Sequence, residues 1–277
     1  MAWLMALASA VLYGLSDYVG GIASRRMHFA VTAILGQSAG LVVAVLLAAA
    51  TGAGAPRATD LAWGALSGVG TAAGMAALFR GLGRGAMSTV VPTSTLTGMG
   101  LPVLFGVVAE GQRPTLSAAV GIVAALPALW LVSRTPDSAP AASRAAVLDG
   151  LLAGVGIAIQ YLALAHADPV SGFWPVASGR VAAVCALVPL VWWTRAAFTA
   201  AVRPLSLAAL AGATAALALA AYLDATHRQL PVVAVALSSL YPVIPVLLGI
   251  TVLHERLSRA QWTGLLAAAL AVVLLAL

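Results

Sequence analysis

A chain whose apolar runs each reach bilayer length has few folds open to it, and this sequence is built from such runs throughout. They fall at 2–23, 31–51, 60–82, 86–108, 115–133, 146–166, 170–193, 204–227, 231–252 and 258–277, and each is read as a helix. A spanning helix needs about 20 apolar residues at about 1.5 Å rise each. Short polar or Pro/Gly breaks separate the runs, among them Arg25-Arg26-Met27-His28, Ala55-Pro56-Arg57, Gly81 to Gly85 and Glu110 to Pro114. The longest break, Ser133 to Arg144 with Pro136 and Pro140, lies near the middle. It divides the chain into residues 1–133, a linker at 134–145, and residues 146–277.

Composition excludes water as the solvent for most of this surface. The chain is 62% hydrophobic and 8% charged, with a mean hydropathy of +1.04. A soluble domain carries about 25% charged residues, and a small globule is mostly surface. The expected class is an all-α integral membrane protein whose first partner is the lipid bilayer. The net charge of +6 comes from fourteen arginines scattered one or two per loop. A nucleic-acid partner needs a clustered basic face, and none is expected. The single cysteine, Cys185, can form no disulfide framework or Cys-based metal site and reads as a small buried residue. Met1 to Tyr13 lacks a basic leader and a cleavage site, so it reads as a first span, not a removed signal.

The two halves resemble each other. Val107-Val108-Ala109-Glu110 parallels Val252-Leu253-His254-Glu255 at a spacing of 145 residues, and Thr93-Ser94 matches Ser238-Ser239 at the same offset. Apolar helices match by chance, but the shared Glu and shared breaks favour a true repeat of five spans. An odd number of spans inverts the second half relative to the first, a recurrent transporter architecture.

On these residues the sequence resembles the EamA-type branch of the drug/metabolite transporter superfamily. The resemblance rests on Ala10-Val11-Leu12-Tyr13-Gly14, on the proline-containing fourth and ninth spans, and on Leu240-Tyr241-Pro242-Val243 followed by Leu253-His254-Glu255-Arg256-Leu257. Here His254 stands where the family usually has Gly. Arg180 fits an arginine that family members often carry early in the second helix of a repeat, whereas the first half has Gln37. The resemblance implies ten transmembrane helices as two inverted five-helix repeats. It also implies a central cavity and transport of metabolites such as amino acids or amphipathic compounds.

Breaks after odd-numbered spans hold ten arginines and breaks after even-numbered spans hold three. The positive-inside rule then puts both termini outside the cytoplasm, with the chain in a cell inner membrane.

Ionisable groups inside a span are costly and therefore suggest function. Asp17 is the clearest. It shares a helix face with Tyr13 and Gly20/Gly21, with Tyr18 beside it. It is read either as a site for a cation, substrate amine or proton, or as the partner of Arg80 or Arg84. Arg180, inside the seventh span, is either an anchor for carbonyls or a site for a substrate carboxylate. Asp224 and Arg228 have helix-pair spacing. With His227, His166 and Asp168 they read as an interfacial cluster or an ion-pair gate.

Pro92 and Pro102 are expected to interrupt the fourth span, and Pro242 and Pro245 the ninth, freeing backbone groups that line protein or water. Thr93, Ser94 and Thr97 accompany the first pair; Ser238, Ser239 and Tyr241 accompany the second. They are read as substrate lining, with helix packing as the alternative. Gln160, Tyr161, Trp174 and Tyr222 add amide and aromatic contacts. Trp63, Trp130, Trp192, Trp193 and Trp262 fit an interfacial belt. Gly36/Gly40, Gly64/Gly68 and Gly150/Gly154 permit close helix approach.

No Walker loop, H-E-x-x-H or G-x-S-x-G occurs. The chain therefore reads as no enzyme, with no cofactor and no metal. The expected function is a secondary transporter, an exporter, acting on a small molecule with protons as a candidate coupling ion. The alternative is an intramembrane enzyme or lipid-handling protein built on His166, Asp168, Asp224 and His227.

Overall fold

The computed structural model describes residues 2–24, 26–83, 87–133, 144–196, 202–253 and 258–277. Most of the expected linker, Arg25, Arg84 and the His254-Glu255-Arg256 segment lie outside them. Among the described residues the helices are α1 (Ala2–Ser24), α2 (Phe29–Ala50), α3 (Ala58–Gly83), α4 (Met87–Val108), α5 (Leu116–Val132) and α6 (Arg144–Ala165), then α7 (Trp174–Thr194), α8 (Val202–Thr226), α9 (Pro231–Ser238), α10 (Val243–Leu253) and α11 (Arg259–Ala276). A 3₁₀ turn at Pro169–Ser171 precedes α7, and no strand occurs among the described residues.

Nine stretches among the described residues are long and apolar enough to cross a membrane, one of them running through α9 into α10. The apolar α5 has 17 residues, about 26 Å at the usual rise, slightly short of a bilayer core. Trp192 and Trp193, 84% and 86% exposed, stand off the end of α7. Cys185 is exposed too, against the expectation of burial. In a chain solvated by lipid, an apolar residue loses nothing by facing outward.

Proline interrupts these helices less than the sequence implies. Helix α4 continues through Pro92 and Pro102, and α5 and α7 continue through Pro127 and Pro189. An interior proline removes one backbone bond, and neighbouring helices and hydroxyls compensate for it in a membrane. Pro245 sits in the first turn of α10, where its missing N–H costs no helical bond. Of the four expected breaks only Pro242 stands at one: Ser239 to Pro242 separate α9 from α10. Gly14 of α1 forms a notch in which Tyr241 O would lie 2.6 Å from any added Cβ.

Packing runs along glycine seams. Gly36 of α2 meets Gly212 of α8, and Gly68 of α3 meets Gly179 of α7. A Cβ at Gly212 would fall 1.8 Å from Gly36 O, and one at Gly68 1.9 Å from Gly179 O. These contacts correspond between the halves: 36 and 179 are 143 apart, and 68 and 212 are 144 apart. The helix pairings correspond in the same way. Helix α3 packs on α6 as α8 packs on α1, and α2 on α8 as α7 on α3, while α2 meets α7 and α5 meets α11.

Candidate functional site

The loops at 51–57, 109–115, 166–173 and 227–230 gather at one end of the bundle, here the near face. Asp60 at the start of α3 accepts from Ser171 Oγ (2.6 Å) and Asp168 N (3.1 Å). Arg57 pairs with Asp168 at 2.7 Å. His166 Nε2 lies 3.1 Å from Glu110 at the end of α4, and its ring stacks on Trp63. Asp224 and Arg228 pair at 2.8 Å. His227 Nε2 reaches Ala167 O at 2.9 Å, and Gln112 caps Val232 N at 3.1 Å. The four residues of the enzyme-like reading therefore share an end of the bundle but are engaged in separate pairs. A cavity of about 490 Å³ opens beside Phe173, Asp224, His227 and Arg228.

Asp168 is the near-face group whose ionisation is most clearly set by its partners. The Val170 N–H, then Arg57, hold its carboxyl below the usual carboxylate range. A depressed folded pKa gives stability that is present above the ordinary value and lost as pH falls through the depressed one. Wild-type melting temperature is therefore expected to drop below about pH 4, more steeply than that of Asp168→Asn. Parallel acid profiles for the two proteins would contradict this linkage. Added salt should shrink the difference, because Arg57 is half exposed.

At the far face Arg80 Nη2 pairs with Asp149 Oδ1 at 2.7 Å. This replaces the expected pairing of Arg80 with Asp17. Helices α3 and α6 pack antiparallel, so the end of α3 meets the start of α6, and the 2%-exposed carboxylate of Asp149 is the nearer anion. Arg80 thus sits at the opposite end of the bundle from Asp224, His227 and Arg228.

Between the two ends lies a polar and aromatic layer. Gln160 of α6 donates through Nε2 to Tyr13 OH of α1 and accepts from Thr71 Oγ1 of α3 at 2.7 Å. Ser67 Oγ donates to Gln160 O at 2.9 Å. Tyr13 lies against Tyr161 and Tyr241, with ring centroids 6.3 and 6.1 Å away. Tyr161 contacts Tyr222, whose hydroxyl donates to Tyr161 O. Arg180 Nη1 donates to Gln37 Oε1 at 2.6 Å. These two occupy equivalent positions, 143 residues apart, and they meet where α2 crosses α7. A cation inside a span costs about 2.5–3.5 kcal/mol on insertion scales.

Asp17 differs from all of these. It sits in electrostatic range of Tyr13, Tyr161 and Tyr241, yet it is exposed. No hydrogen bond or ion pair engages it among the described residues. At 100° per residue, it falls on the stripe of α1 that holds Ala6 and Ala10, which are 0% and 3% exposed. Gly21, the next residue along that stripe, is exposed with nothing within 4 Å of an added Cβ. Along this stripe α1 is packed at its near-face end and exposed at Asp17 and Gly21 toward the far face. The broken ninth span behaves in the same way: α9 is buried from Val232 to Ser238, whereas no residue of α10 from Val243 to Leu248 is buried.

The remaining expected site residues lie elsewhere. Thr93 and Thr97 press on Gly150 and Gly154 in the α4–α6 seam. Ser238 Oγ donates to Ala6 O between α9 and α1. Trp174 starts α7, half-buried against the near-face core. Tyr18 is half-buried on α1 beside Asp17. Ser67, Thr71 and Asp149 were not legible as site residues. A hydroxyl in an Ala/Gly-rich helix ordinarily bonds its own backbone, and Asp149 stands in the second turn of its helix, where a charge reads as interfacial.

The described residues thus form an all-helical bundle of apolar spans with a polar and aromatic layer between its two ends. Residues 144–277 match the EamA-like transporter family. The second half of the chain is thus similar to membrane transporters of the drug/metabolite type, and its apolar helices make the chain a multi-pass membrane protein. A solved crystal structure aligns at a TM-score of 0.74 and 17% identity, covering 99% of this chain and 95% of that one. It has the same fold. No curated protein matches the chain in sequence.

Proposed function

We propose that the protein is a secondary transporter, an exporter of a small metabolite such as an amino acid or amphipathic compound, working by alternating access. The observation that carries this is the uneven packing of α1, sealed at Ala6 and Ala10 and open at Asp17. A path open to one face and latched at the other is one of the two states such a cycle visits. In this reading α5 completes ten spans, and residues 1–133 and 146–277 are inverted five-helix repeats. The corresponding glycine seams and the Gln37–Arg180 contact support that division.

Asp17 binds a substrate amine or a proton, within a wall formed by Tyr13, Tyr241 and Gln160. The Glu110–His166 and Arg57–Asp168 pairs hold the near face shut. Arg80–Asp149 joins α3 to α6 at the far face, and this pair exchanges partners when that face closes. The arginine bias assigns the far face to the cytoplasm, so the opening is on the loading side of an exporter in the inner membrane. With no ATPase signature in the sequence, a solute or ion gradient supplies the drive. The test is a ligand-stabilisation screen on purified protein, followed by counterflow of each stabilising compound in proteoliposomes. A compound that binds at the Asp17 opening but never crosses would reject transport.

A further inference from the structure

Arg180 is a buried cation without a counter-charge. It is 2% exposed, and among the described residues no ion pair involves it. Its Nη1 donates to Gln37 Oε1, while Nε and Nη2 have no partner. Gln37 offers a neutral acceptor and directs its own amide to Met75 Sδ at 3.4 Å. A guanidinium does not deprotonate in a protein, and a buried charge persists where an opposite charge or a full set of acceptors balances it.

The two free donors are adjacent. Nε and Nη2 form the side-on edge of the guanidinium fork, which matches the two oxygens of a carboxylate. Nothing but backbone is contributed by Gly40, where an added Cβ would lie 3.4 Å from Nε. The cleft at this position is lined by Gln37, Ser67, Gly68, Thr71 and Gly179 beside Arg180, with no carboxylate among them. The Ser67 and Thr71 hydroxyls already donate to Gln160.

We propose that this edge of Arg180 binds a small monovalent anion, a halide or a carboxylate, which serves as its counter-ion between α2 and α7. Tyr13 lies in electrostatic range of both Arg180 and Asp17, but the site does not depend on which compound the chain carries. In the present conformation the cleft has no room for a water molecule, and Gly68 and Gly179 are in backbone contact. An anion therefore enters as α3 and α7 part, and its binding favours the parted state.

The test is thermal unfolding of the purified full chain in detergent, with chloride or acetate titrated at constant ionic strength against sulfate. Wild-type protein is expected to gain a saturating rise of a few degrees. A response to chloride as well as acetate identifies a free inorganic anion as sufficient. A response to acetate alone identifies a carboxylate borne by a solute. Gln37→Glu puts a carboxylate within reach of Arg180, so this variant should melt higher than wild type and respond to neither salt. Arg180→Gln removes the fork and should lose the anion response, and Gln37→Glu keeps the proposal testable if that variant does not fold. A wild-type melting temperature flat in both salts, or an undiminished anion response in Gln37→Glu, would overturn the proposal. Neither result bears on transport through the Asp17 opening, which the counterflow assay reads independently.

Discussion

Asp17→Asn is expected to reduce transport by at least about tenfold and to abolish its dependence on pH, while the bundle stays folded. A carboxylate inside a span is costly to insert, and this one receives no compensating bond from the described residues. Its energy is therefore available to a substrate amine or a proton instead of being committed to structure. The amide keeps the shape and removes the charge. Unfolding temperature should be unchanged or slightly raised, which separates a lost function from a lost fold. The measurement is counterflow in proteoliposomes across a pH series. Wild-type rates from the variant at every pH would remove Asp17 from the mechanism.

Gly212→Ala and Gly68→Ala are expected to destabilise the protein by about 1–3 kcal/mol each, the usual cost of overpacking a close contact. The atoms that a new Cβ would meet are backbone, Gly36 O and Gly179 O. No side chain can swing aside, so whole helices must part. Gly21→Ala is the control. It has open space around its Cβ and, in a helix, should gain up to about 1 kcal/mol from propensity. Denaturant unfolding in detergent compares the three. Equal stability of Gly212→Ala and Gly21→Ala would mean that the α2–α8 seam is looser than its geometry.

Much of this architecture is legible in the sequence because lipid imposes a length rule on every span. Hydropathy and breaks alone locate the helices, to within a few residues at their ends. The glycine pairs at Gly36/Gly40 and Gly64/Gly68 mark real seams, but their partners, Gly212 and Gly179, follow only from how the halves pack. Proline was a poorer guide. Pro92 and Pro102 change nothing visible in α4, whereas the break at Pro242 packs against a notch at Gly14, more than 200 residues away in sequence. The polar layer was legible in part. Tyr13, Gln160 and Arg180 stand out as polar groups in apolar runs, but Thr71 and Ser67 join them only through the fold. The Arg80–Asp149 pair was missed for the same reason: sequence reveals that Arg80 needs an anion, not which helix supplies it.

Thiol labelling tests the central claim most directly, because Cys185 is the only native cysteine and a single substitution removes it. Cysteine placed at Gly21 in that background should react with a membrane-impermeant reagent applied to the far face of oriented vesicles, and not with reagent applied to the near face. Saturating substrate should slow that reaction. Labelling from the near face alone, or none from either face, would contradict a path that opens beside Asp17.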